Sequence, residues 1–571
     1  MREFGDACRF LTLLIVAGQA CFAQIGQARQ RAAELILRQV KPELKNIQGP
    51  SGIKCGTSLI AWAYIHWREL PALDKREIAS ALQRPVMQKD RLSPSGRFRI
   101  HYDTTGIDAP ALITTGPAPQ RIENTYEQYV DSVATIFDFC LRQETDSLGY
   151  AEPPPDGQQG GGPEYDIYIE PRTKDDFGAE TPVDLIEDGP RQRFSSFIVI
   201  DNDYLDFRTA GMDGLKITAA HEFHHAVQVG AYGIWNTVPN SDFYFYELTS
   251  VWMEHVLYPS IHDYYFDLPT YFERFRDSQG RSYSFTTWEP PTFAGYERSI
   301  WAHFLVKRFG QEVMREIWEG MRANPFLQSV SEVLQRHGST IESEFSLFSY
   351  WNFFTADRAD SVRFYAEGAS YPRYVPNATV AYDGLTAVIT TSGFPLSTQF
   401  YQFSISNDTL VAVVANIEAD QAEEASTTPR SLGLTLASGN VRPPNQRLAK
   451  GYVVGFTSAN PGAWRTLYLE SATRSSASIA PDAAPNPLRL SRDSKLSLPI
   501  PGATRGDAHI YMFGSSLDLV FSEDYPVTES FGNKMITIPA DALRSRVPSG
   551  VYFVIARCGD QEFKWKVAIL Q

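Results

Sequence analysis

Between Lys216 and Gln228 the chain reads KITAAHEFHHAVQ, with three histidines and a glutamate inside five positions. Asp213 is a suitable cap for a helix running through this stretch. On such a helix His221 and His225, four residues apart, share one face at about 40° from each other. Two imidazoles on one face can grip one tetrahedral zinc ion. Glu222 projects about 100° from His221, beside the metal but not on it, where a base acting on a metal-held water must stand. The spacing is H-E-x-x-H. His224 is expected to face a cleft wall or solvent. A site of this kind needs a third ligand, so the helix must be met by another element from downstream.

One subtype of such sites continues directly as H-E-x-x-H-x-x-G-x-x-H. Here the chain continues HEFHHAVQVGAYG, with Gly230 and Gly233 out of position and no further histidine, which excludes it. The other subtype takes a glutamate from a following helix. FYFYELTSVWMEHVLYP offers Glu247 and Glu254, seven apart and therefore on one face. Glu247 is the expected ligand, because its 22-residue distance from His225 leaves room for a turn back alongside the first helix. Ser250 is small enough to let the two helices approach. Glu254 is expected to accept a hydrogen bond from a zinc-bound imidazole and orient it. His255 and His303 are read as structural.

The rest of the chain divides by texture. With 571 residues it is long enough for three or four domains. Residues 1–23 read as a signal peptide, with an apolar FLTLLIVA core and small residues near Ala23. Residues 24–92 read as a helical segment, either a pro-region or a cap. Residues 93–370 open on the alternating strand RFRIHYD, followed by an amphipathic helix from Asn124, the strands YDIYIE and SFIVIDND, and the histidine-bearing helix, an α+β order. Residues 371–476 carry short strands between Gly, Pro, Ser and Asn clusters, the pattern of a β-sandwich. Residues 477–571 repeat that pattern as a second, Ig-like sandwich. The net charge of −15 argues against nucleic acid as partner. No segment beyond the signal approaches the length of a membrane span. Of five cysteines, Cys8 and Cys21 fall in the signal. Cys55 with Cys140 is the expected disulfide, the alternative being three separate buried thiols. No C-x-x-C spacing is present, so a cysteine metal ligand is not expected.

HEFHH followed by ELTSVWME is similar to the gluzincin branch of zinc metallopeptidases. Residues from about 93 to 365 resemble, more closely, a family of secreted bacterial metalloproteases. That family has an RIHY-type strand, a YDIYI strand, an HEFxHAxQ helix and a following aromatic helix with the ligand glutamate. The resemblance implies a zincin-like domain holding one zinc ion per chain on His221, His225 and Glu247. It also implies hydrolysis of protein or peptide substrates by a zinc-activated water, with Glu222 as general base and then proton donor to the leaving amine. Tyr296 is the candidate donor to the oxyanion. The carboxyl end, with PNPLRLSR and SGVYFVIARCGDQEFKWKVAIL, looks like the Ig-like sorting or attachment domains of large secreted bacterial proteins. That implies contact with a cell surface or secretion machinery and a secreted or surface location. The competing expectation is a non-catalytic surface or matrix binding protein on a degenerate zincin scaffold.

Overall fold

The computed structural model describes residues 53–571 except 173–175, 239–241, 291, 383–385, 406–407, 420–421, 423–428, 439–451, 458–463, 470–487, 501–505, 515–517, 531–532 and 560. The expected signal peptide, the first part of the helical segment and the break near residue 476 lie outside the described residues. The protein is α+β, with several separate sheets. The described residues pack into two units, one comprising those through Tyr271 plus Trp288–Ser329, the other those of Phe272–Thr287 plus Val330–Gln571.

The first unit begins with helices α1 (Thr57–Ile65) and α2 (Ala72–Ala81). Strands β1 (Lys89–Leu92) and β2 (Phe98–Tyr102) and helix α3 (Tyr126–Leu141) follow. Then come β3 (Tyr165–Ile169), β4 (Gly178–Glu187), β5 (Arg191–Ile200), helix α4 (Gly211–Val227), β6 (Ile234–Trp235) and helix α5 (Phe243–Leu257). After residue 288 the unit adds α6 (Ile300–Phe309) and α7 (Glu312–Gly320). The strands form a mixed sheet in the order β1-β2-β3-β5-β4, with β6 also paired to β5. β2, β3 and β5 run parallel, and β4 closes the edge antiparallel to β5.

Side-chain alternation decides what each sheet face does. Ile100, Ile167 and Ile198 stand in register across the three parallel strands, all fully buried. On β2, Phe98 meets Phe137 of α3 at 5.5 Å and Phe223 of α4 at 5.7 Å between ring centroids, so both helices pack on that face. His101 projects oppositely, with Nε2 2.8 Å from Asp166 Oδ1 and its ring stacked on Tyr168. Helices α4 and α5 pack against each other and are buried nearly all round. That is why their sequences lack a clean polar stripe. Asp213 does not cap α4. The helix starts earlier, at Gly211, whose φ of 59° turns the chain inward, and Asp213 pairs with Lys216 at 2.9 Å in the first turn.

Helix α8 (Phe326–Arg336) leads into the second unit, which continues with α9 (Ile341–Trp351). Seven strands follow: β7 (Ala378–Tyr382), β8 (Thr386–Gly393), β9 (Ser397–Ile405), β10 (Asp408–Asn416), β11 (Arg430–Ser438), β12 (Tyr452–Thr457) and β13 (Trp464–Leu469). They make a four-stranded sheet, β13-β10-β9-β7, and a three-stranded sheet, β12-β11-β8. The carboxyl end contributes β14 (Leu488–Arg489), β15 (Lys495–Pro499), β16 (Asp507–Phe513), β17 (Leu519–Ser530), β18 (Asn533–Pro539), helix α10 (Ala540–Arg544), β19 (Gly550–Cys558) and β20 (Gln561–Leu570). These seven strands form one path, β14-β20-β19-β16-β17-β18-β15. β17 pairs with β16 through its first half and with β18 through its second, carrying the sheet around a core that includes Leu496, Ile510, Ile536, Val554 and Val567. Among the described residues no helix is long and apolar enough to cross a membrane. No disulfide joins Cys55 to Cys140. Both are buried as separate thiols, as is Cys558.

Gly295 sets the distance between α5 and the turn bearing Tyr296. Its φ is 127°, and a Cβ there would lie 2.3 Å from the Tyr244 carbonyl oxygen and 3.0 Å from Glu247 Cβ. Gly310 also has positive φ, 96°, but open space around it. Gly295→Ala should therefore cost roughly 2–4 kcal/mol, against about 1 kcal/mol for Gly310→Ala. Urea denaturation of the two variants beside the parent measures the difference.

Candidate metal centre

The two histidines of α4 are held by acceptors on their outer nitrogens. His221 Nδ1 lies 2.7 Å from Glu254 Oε1, and a carboxylate only accepts, so this nitrogen carries the proton. His225 Nδ1 lies 2.7 Å from Gln228 Oε1. The amide orientation follows from Gln228 Nε2, which donates to the Tyr246 carbonyl at 3.1 Å, to Thr249 Oγ1 at 3.0 Å and to Ser250 Oγ at 3.2 Å. A carbonyl cannot donate, so Oε1 faces the imidazole and His225 Nδ1 is also the protonated nitrogen.

The inner nitrogens are then the ring atoms left to bind a cation, and they converge. His221 Nε2 and His225 Nε2 are 3.1 Å apart. Glu247 Oε2 lies 3.3 Å from each, buried and accepting no hydrogen bond. Three donor atoms thus face one another in a dry space, where His221, His225, Glu222 and Glu247 are all at most 1% exposed. Burial lowers the proton affinity of the His221 ring, but the carboxylates of Glu247 and Glu254 outweigh it and push the pKa to about 9. Burial likewise raises Glu247, yet the facing histidines pull it down to about 2. Both shifts express one demand: the cluster asks for positive charge at its centre.

Glu222 Oε2 accepts from the Glu180 backbone N–H at 2.8 Å, near the start of the edge strand β4. Gly178 makes that approach possible, since a Cβ there would lie 2.9 Å from Thr218 Cγ2 and 3.2 Å from Glu222 Cγ. Tyr296, in the turn before α6, has its ring 6.1 Å from that of His221. The two halves of the expected site, on α4 and α5, are therefore together, and Tyr296 stands beside them.

Three features of the site depart from what its sequence suggests. His224 faces neither a cleft wall nor solvent. It is fully buried, with Nδ1 2.7 Å from Glu144 Oε2 and its ring edge-on to Tyr150. Burial holds its pKa well below the ordinary value. Second, a cysteine does enter the cluster: Cys55 Sγ and the donor atoms of His221, His225 and Glu247 all lie within 4.8 Å of one another. Burial pushes the Cys55 thiol up, and the nearby carboxylates of Glu222 and Glu247 add to it. No C-x-x-C spacing marks it, because Cys55 meets the cluster from far outside the motif in sequence. Third, Gln228 was overlooked. It follows the motif by three residues in a π-helical turn, and a glutamine in a helical pattern carries no signal of its own. His255 and His303 lie away from the cluster, in an aromatic group around Tyr264.

No protein-family model matches the chain, and no curated protein matches it.

Burial pushes the Glu180 carboxyl up to about 8, with Ser196 moderating and Glu222 reinforcing the shift. Between the ordinary 4.5 and about 8, the folded chain keeps a proton that the unfolded chain has lost. Stability must then fall as pH rises through that window. Glu180→Gln removes the dependence, so its stability advantage over the parent should grow by about 1.4 kcal/mol per pH unit. Urea unfolding at pH 5 and pH 7.5 measures it.

Proposed function

We propose that the chain is a secreted zinc-dependent metallopeptidase, a gluzincin-type endopeptidase acting on protein or peptide substrates. The observation that carries this reading is the triangle of donor atoms. Zinc–nitrogen bonds of 2.0–2.1 Å at tetrahedral angles separate neighbouring donors by about 3.3–3.4 Å. The three separations of 3.1, 3.3 and 3.3 Å lie close to that edge. The donor types, two neutral imidazoles and one carboxylate, are those zinc favours. His221, His225 and Glu247 would hold one zinc ion per chain.

Bound there, zinc supplies Lewis acidity toward a water and toward the carbonyl of a peptide bond. The remaining roles fall to the protein. Glu254 and Gln228 keep both rings aimed inward. Glu222, beside the cluster and off its donor triangle, takes a proton from the attacking water and returns it to the departing amine. The Tyr296 hydroxyl is suited to donate to the oxygen on which negative charge develops.

A non-catalytic reading has one observation in its favour. A fourth buried donor, Cys55, gives the cluster the closed character of a structural zinc site. Glu222 weighs the other way, since a structural site has no use for a carboxylate poised against its ligands. The zincin-like character of the first unit is part of the same proposal, supported by a motif helix laid on a mixed sheet beside the helix with the third donor. For residues 477–571 we propose an Ig-like attachment role on an exported chain, supported by the strand-rich carboxyl end with its own apolar core.

Purified protein should contain one zinc per chain by elemental analysis. His225→Ala and Glu247→Ala should lose it, while Glu254→Ala should weaken binding by roughly 10–100-fold. Glu222→Gln should retain the metal and lower casein hydrolysis by about 10²–10⁴-fold. Parent-level hydrolysis by Glu222→Gln would remove that residue from the mechanism.

A further inference from the structure

The segment entering α1 lays consecutive residues against the donor cluster. Lys54 Nζ donates to both Glu254 oxygens and to Asp263 Oδ2, each at 2.7 Å. Cys55 Sγ joins the histidine and glutamate donors. It also receives the Thr57 N–H at 3.3 Å and lies 3.3 Å from Glu222 Oε2. Thr57 Oγ1 is 3.2 Å from that same Glu222 oxygen, and Ser58 Oγ donates to Glu247 Oε1. Glu222, Glu247 and Glu254 thus each have a side chain of residues 54–58 hydrogen-bonded to them.

The backbone of this segment follows the path of a bound peptide. Phe177 N–H donates to the Lys54 carbonyl at 3.0 Å and Gly56 N–H to the Gly178 carbonyl at 3.3 Å, pairing Cys55 in parallel with the first residue of the edge strand β4. Adding an extended segment to a free sheet edge is a general mode of peptide recognition. At Cys55 the main chain meets Tyr296: its N–H donates to the hydroxyl at 3.0 Å, and the hydroxyl faces its carbonyl at 3.4 Å. The sulfur lies within 4.8 Å of all three donor atoms of the triangle.

We propose, resting on the zinc reading above, that Cys55 is the fourth zinc ligand and that the Lys54–Ser58 segment holds the enzyme latent until it is displaced. A catalytic zinc needs one position for water, and the sulfur takes it. On ligation the zinc–sulfur bond forms and the thiol proton passes to Glu222 Oε2, which silences the base as well. A dication, one thiolate and the Glu247 carboxylate sum to zero charge, as a dry site requires. With the segment in place the four central residues are buried, so activation requires the segment to leave. This gives the amino-terminal region the role of a pro-segment rather than a cap.

Cobalt in place of zinc, in the full-length chain, tests the ligand directly. Parent protein should show thiolate-to-cobalt charge-transfer absorption in the near ultraviolet. Cys55→Ser should bind one cobalt without that band. The zinc form of a Lys54→Ala/Cys55→Ala double variant, matched for metal content, should cleave casein roughly tenfold faster or more than the parent, because a larger fraction of it is competent. Adding Glu222→Gln to that variant should remove the gain. Cobalt bound by the parent without the band would overturn the ligand assignment. Loss of metal from both cysteine variants would make Cys55 a permanent structural ligand and overturn latency, as would a metal-loaded double variant no faster than the parent. Failure of the parent to bind either metal would instead bring down the zinc reading, and this inference with it.

Discussion

Two protons decide the character of this protein. Glu254 and Gln228 each accept from an imidazole Nδ1, and neither can return a proton. The inner nitrogens therefore face each other as the atoms left to bind a cation, with a carboxylate oxygen completing the triangle. Leaving such groups buried and unmatched costs about 1–3 kcal/mol each, more where charge is involved. A single cation at their centre would turn that cost into binding energy. The surrounding contacts, from the Tyr246 carbonyl that orients Gln228 to the lysine that clamps Glu254, serve to keep those two protons where they are.

The scaffold is suited to that task. Helices α4 and α5 are buried almost completely, so their side chains have little freedom to relax away from the cluster. Sites on packed helices hold their geometry more tightly than sites on loops. Two glycines permit the closest approaches, Gly178 where the edge strand meets Glu222 and Gly295 where the Tyr296 turn meets α5. Both mark places where a side chain would displace a group of the site rather than a solvent-facing surface.

The same packing explains how one segment can cover so much. Lys54 acts through charge, with the nearby carboxylates of Asp263 and Glu254 outweighing burial to raise its pKa, and so it stays a cation inside the protein. Cys55, Thr57 and Ser58 are small enough to reach the cluster from an extended backbone. The ion pairs around Lys54 extend to Arg208, which bridges Asp263 and Asp267, so the segment is tied into a larger charged network beside the donor cluster.

Much of this was legible in the amino-acid order because it is local. Four-residue spacing alone puts His221 and His225 on one face, and seven-residue spacing does the same for Glu247 and Glu254. Alternation marks β2 and β3, and turn-bounded apolar runs mark β9, β10 and β20. Strand β4 was not legible, because Pro182 and two register shifts break its period at a sheet edge. What only the tertiary structure decided are encounters between residues far apart in the chain: Cys55 against His221 and His225, His224 turned into the core against Glu144, and Lys54 paired with Glu254. Periodicity reports which way a side chain points from its own backbone. It carries no information about what the fold brings to meet it, and that meeting decides where each proton sits.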